Sequence, residues 1–201
     1  MTSRNHAATI GAALLLTVAS QIFYITIVSG SDNEMLRPLT WFIELFAFTV
    51  VTVLSFAQAI RRPDRAVLWS MIGFSGLLNV LQVSIGLSMF APAMEAGDSV
   101  PQLFAAILAG AFFLYFLAKL VLGIAAIEIG TNLFRRGSAV SKLTGLLALV
   151  AGMAAIGLNL LAMIDAKPWT FAAGGAGTAA TALLALALFV QAKDTAPESE
   201  A

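Results

Sequence analysis

The sequence predicts an all-α integral membrane protein, a six-transmembrane-helix bundle with both termini in the cytoplasm. The chain of 201 residues is 60% hydrophobic and only 11% charged, where soluble domains are about half apolar and about a quarter charged. Its mean hydropathy is +0.93. Six apolar runs lie near the ~20 residues needed to cross a bilayer, at 8–29, 40–60, 67–90, 102–134, 143–164 and 170–192. The basic residues are also lopsided. Of eleven Lys and Arg, eight sit at one set of ends: Arg4, Arg61, Arg62, Arg65, Arg135, Arg136, Lys142 and Lys193. Only Arg37 and Lys167 sit at the other, and Lys119 falls inside a run. The positive-inside rule assigns the eight to the cytoplasm. The expected setting is a bacterial-type inner (plasma) membrane.

The first run has the basic start of a signal peptide, and "VAS" before Gln21 resembles a cleavage site. Apolar character continues through "IFYITIV", too long for a signal-peptide core, so an uncleaved first helix is expected. The second run follows "GSDNEMLRP" and ends at Arg61 and Arg62. The third follows "RRPDR" and stops before "APAMEAGDSVP". The fourth, the longest, ends at Arg135 and Arg136. The fifth lies between "RRGSAVSK" and "DAKPW", and the sixth ends at Lys193. Residues 1–192 thus read as one transmembrane domain, and 193–201, "KDTAPESEA", as a short acidic cytoplasmic tail. Trp41 and Trp169 are expected at the outer interface and Trp69 at the inner one. Helices 1, 3 and 5 each carry one amide (Gln21, Gln82, Asn159), and helices 2, 4 and 6 return to basic ends. Three helical hairpins fit that pattern.

Composition excludes several classes of chemistry. There is no cysteine, hence no disulfide or thiolate site, and the only histidine is His6. Bis-histidine haem ligation, a zinc site and a histidine-based triad are therefore absent. Net charge is zero, which offers nothing to nucleic acid. No phosphate-binding loop or nucleophile elbow occurs, and no cofactor is implied.

The informative residues are charges inside the runs. Lys119 precedes Arg135 by 16 residues and Glu44 precedes Arg61 by 17. Gln21 follows Arg4, Gln82 follows Arg65 and Asn159 follows Lys142, each by 17 residues. At about 1.5 Å per residue these groups share one level, roughly 25 Å from the basic end. Charges in lipid are unfavourable by about 2.5–3.5 kcal/mol, and amides there need partners. A Glu44–Lys119 pair surrounded by Gln21, Gln82 and Asn159 answers both needs. Measured from the outer ends, however, Glu44 is 4 residues past Thr40 and Lys119 is 18 past Pro101. Unless helix 4 tilts or protrudes, Lys119 lies deeper than Glu44 and the pair stretches.

Tyr115, one turn before Lys119 on the same face, reads either as a hydroxyl aimed at Glu44 or a ligand, or as a packed aromatic. Asn79 and Gln82 share a face and either line a cavity or bond across the bundle. Glu128 faces away from Lys119 and is expected to neutralise Arg135 or another inner arginine. Gly174, Gly175, Gly177 and Thr178 in helix 6 allow either close packing or an unwound, carbonyl-lined segment. A retinal Schiff base at Lys119 is disfavoured by six helices rather than seven. The functional expectation is a bundle that binds or passes a small polar or charged solute or ion near the outer leaflet. The alternative is a non-catalytic accessory or assembly subunit whose polar residues pair with a membrane-protein partner. A large cavity joining Glu44, Lys119 and Gln82 would favour the first, and a dry, filled bundle the second.

Overall fold

The computed structural model describes residues 3–136 and 138–194. Six long helices make up nearly all of it: α1 (Ser3–Thr26), α2 (Leu36–Arg61), α3 (Ala66–Glu95), α4 (Leu103–Arg136), α5 (Ala139–Ile164) and α6 (Ala166–Asp194). Each is long and apolar enough to cross a membrane. Of the expected tail, Lys193 and Asp194 still belong to α6, and residues 195–201 lie outside the described residues.

The helices begin and end where local chemistry allows. Ser138 caps α5, its hydroxyl accepting the Ser141 N–H at 3.3 Å. The expected "DAKPW" break shrinks to one extended residue, Asp165, with φ −143° and ψ 97°. Pro168 does not prevent α6 from starting at Ala166, because the first turn of a helix leaves its N–H groups unpaired anyway. α3 runs past Pro92 to Glu95. α4 has 34 residues, about 50 Å of helix, longer than the ~30 Å hydrocarbon layer of a bilayer.

Each consecutive pair of helices packs side by side, and α6 returns to touch both α1 and α4. Helices α1, α2, α3, α4 and α6 thereby close a ring, and α5 packs outside it against α4 and α6. The ring is filled by Ile10, Leu14, Val51, Leu68, Ile72, Leu122, Ile129, Leu184 and Leu188. Trp69 joins them. It is 4% exposed, so it is a core residue and not the inner-interface anchor expected from the sequence; it shares its face with Leu68 and Ile72 on a helix held between two neighbours. Trp41 stacks on Tyr24 and meets Phe90 edge-on. Large apolar side chains such as Ile60, Phe46 and Phe171 point outward.

α5 buries small residues: Gly145, Ala148, Ala151, Gly152, Ala155 and Ala162. Against them α4 sets Gly123 and Gly130. A Cβ added at Gly130 would lie 2.7 Å from the Gly145 carbonyl oxygen, and one at Gly152 would lie 2.6 Å from that of Gly123. The two backbones touch directly, which small residues permit and lipid does not oppose.

Candidate functional site

Most of the polar residues buried in the half of the ring away from the basic helix ends converge on two adjacent layers. In the upper layer, the Ser20 hydroxyl of α1 donates to Glu44 Oε1 of α2 at 3.0 Å. Beside it, Thr178 Oγ1 of α6 donates to Gln21 Oε1 at 2.8 Å and lies 2.9 Å from the Gly174 carbonyl. The Tyr115 hydroxyl of α4 faces Thr178. One turn further along α6, Thr181 gives its proton to the Gly177 carbonyl at 2.7 Å and accepts from Lys119 Nζ at 3.3 Å.

Lys119 and Glu44 are within electrostatic reach of each other, but they form no ion pair within 4.0 Å. The direct pair expected from counting is thus replaced by a separated one. Its ends are held by different hydroxyls, Ser20 and Thr181. The long, displaced α4 accounts for this: Lys119 sits deeper than Glu44. Among the described residues the ion pair that does form is Arg62 with Asp64, at 3.0 Å on the surface.

Gly177 determines where Lys119 runs. A Cβ there would lie 2.7 Å from Lys119 Cγ and 2.9 Å from its Cβ and Cδ. The aliphatic stem therefore lies against bare α6 backbone, and Nζ ends 5.4 Å from the centre of the Tyr115 ring, within cation–π range. Lys119 is 1% exposed. An ammonium has three N–H donors, and among the described residues only one has a hydrogen-bond partner.

Next to Lys119, Ser75 donates to the Ala118 carbonyl at 2.8 Å and Asn79 Nδ2 to the Ser75 carbonyl at 2.8 Å. Asn79 Oδ1 is buried without a partner. Ser75, Asn79, Lys119 and Thr181, with Leu14, Phe48, Val51, Gly76 and Leu122, enclose a void that has no room for a water molecule.

The other expected site residues stand apart. Gln82 is half-buried and makes no hydrogen bond among the described residues. Asn159 is buried, but on α5 outside the ring, where Nδ2 donates to the Ala155 and Ala173 carbonyls at 2.7 and 3.3 Å. It braces α5 on α6. Glu128 is in electrostatic reach of Arg65 rather than Arg135. α6 is continuous, so its glycines form no unwound segment; Gly175 faces open space. Ser20, Ser75 and Thr181 were not anticipated, because hydroxyls in helices usually bond their own backbone and carry little sequence signal. Among the described residues no group of His, Asp and Glu could hold a metal ion. No known protein family, curated protein or solved structure matches the chain.

Proposed function

We propose that the chain is an integral protein of a bacterial-type inner (plasma) membrane, built from three helical hairpins with both termini cytoplasmic. In this reading its Glu44–Tyr115–Lys119 layer binds or passes a small polar or charged solute or ion, and the bundle described here is the closed state. The observation that carries the reading is the unfilled hydrogen-bonding capacity of the layer. Among the described residues Lys119 is buried with one hydrogen-bond partner and no carboxylate in contact, and Asn79, which lines the same void, has none for its Oδ1. Lipid supplies no partners, and a purely structural pair would close on itself. Intramembrane ionisable groups are candidates for solute or ion paths by default.

The runner-up is an accessory or assembly subunit, favoured by the dry void beside Lys119. Single cysteines separate the two readings, in a chain that has none of its own. Cysteines placed after residues 35, 97 and 167 should react with membrane-impermeant reagents from outside, and those after 64 and 138 only from inside. With that topology in place, Gln21→Cys and Asn79→Cys should also be labelled from outside, slowly, as the layer opens. Complete protection of both would move the accessory reading ahead.

A further inference from the structure

A second feature lies on the lipid-facing surface at the basic end. Ala66, Val67, Ser70, Met71 and Phe74 of α3, with Val121 of α4, line an open, almost wholly apolar groove of about 380 Å³. Val67 is 68% and Phe74 45% exposed. The eight-residue step from Ala66 to Phe74 covers about 12 Å along the helix, within the ~15 Å depth of one leaflet. At its inner mouth the chain carries Arg61, Arg62 and Arg65 within five residues. Asp64, the acid in that turn, is engaged by Arg62 through hydrogen bonds of 3.1 and 3.0 Å. Arg65, directly before the groove in sequence, is half-buried; its Nη1 is itself buried and has no acceptor among the described residues, so a phosphate would meet the exposed part of the guanidinium. Glu128 is in electrostatic reach of it but makes no ion pair with it.

We propose that this groove is a binding site for one anionic phospholipid, with an acyl chain along α3 and the phosphate at Arg65. The proposal rests on the membrane reading above and is independent of what the Glu44–Lys119 layer does. Apolar lining selects a chain over a polar solute, and the three-to-one excess of arginine over aspartate in the turn selects a negative headgroup. The groove continues the helix that begins at those arginines, so a single lipid satisfies both.

The test uses the delipidated full chain in detergent, with phosphatidylglycerol or phosphatidylcholine of identical acyl chains added. Phosphatidylglycerol should raise Tm by about 3 °C more than phosphatidylcholine does, a resolvable shift for a chain of this size. Arg65→Gln should remove that difference and keep the response to phosphatidylcholine. Val67→Trp, which fills the groove, should remove the response to both. High salt should erase the headgroup preference of the unaltered protein, because an exposed charge contact is screened; this arm needs no variant to fold. Equal shifts with the two lipids, or a preference that survives Arg65→Gln or salt, would overturn the site. Release of the protein from membranes by alkaline washing would instead overturn the membrane reading itself.

Discussion

Gly145→Leu is expected to abolish the folded bundle, while Gly175→Leu leaves it folded. Gly145 lies among leucines in sequence and Gly175 in an Ala/Gly run, yet it is Gly145 that is tightly opposed in space. A Cβ at Gly145 would stand 2.6 Å from the Gly130 carbonyl oxygen, 2.8 Å from the Phe134 nitrogen and 3.1 Å from Leu133 Cβ. Two of those atoms are backbone, so no rotamer change relieves the overlap; α4 and α5 must separate. Overpacking costs about 1–3 kcal/mol for small insertions, so even Gly145→Ala should lower Tm by roughly 3–8 °C. An added leucine exceeds what the seam can absorb, because Gly123 and Gly152 repeat the same contact one heptad away. Gly175 has nothing within 4 Å, and a substitution there gains about the helix propensity that glycine lacks, up to ~1 kcal/mol. Thermal unfolding and size-exclusion profiles in detergent distinguish the pair. A Gly145→Leu protein with unchanged Tm would show that the helices do not meet at those glycines.

Lys119→Met is expected to stabilise the protein. A buried charge loses several kcal/mol of hydration, which direct pairing with good geometry repays. Lys119 lacks that repayment: its partner is a hydroxyl at 3.3 Å, and Glu44 is not in contact. Methionine follows the same lane past Gly177 and carries no charge. Replacement of buried charges by apolar groups typically gains about 1–4 kcal/mol, so Tm in detergent should rise by about 3–10 °C. Glu44→Gln alone should lower Tm, because it removes the one negative charge in electrostatic reach of the buried ammonium. In the Lys119→Met background the same change should be nearly neutral. A loss of about 3–5 kcal/mol on Lys119→Met, the usual result of breaking a buried pair, would mean that the two groups are locked together and that the layer is a strut. A residue that lowers stability and is nevertheless present is best explained by use.

The six helices were legible because hydropathy over ~20 residues is a strong and local signal. Packing was not. Gly123, Gly130, Gly145 and Gly152 lie seven apart within two apolar runs, and nothing local says that the runs face each other. The denser cluster in helix 6 draws attention first, yet of its glycines only Gly177 is tightly opposed, by Lys119. The candidate site was half legible. Counting rise per residue put Gln21, Glu44, Lys119, Gln82 and Asn159 at one level, and helix phase added Tyr115; of these Gln82 and Asn159 stand apart. Counting treats every helix as upright, however, and so could not decide whether Lys119 and Glu44 meet; they make no ion pair. It also cannot tell which helix lies outside the ring, and Asn159 has the right depth on the wrong helix. Trp69 has the position of an interface anchor, but α3 packs against both α2 and α4, and the face that carries Leu68, Trp69 and Ile72 turns inward.

The central claim is that the layer around Lys119 opens to water, and reductive methylation of the unaltered protein in nanodiscs tests it most directly. Lys142, Lys167 and Lys193 are exposed and serve as internal standards, whereas Lys119 is 1% exposed. Mass spectrometry should find the three standards modified at once and Lys119 modified slowly but progressively, as transient opening admits reagent. A Lys119 that stays unmodified long after the standards are complete, and reacts only once the protein is unfolded, would contradict the account.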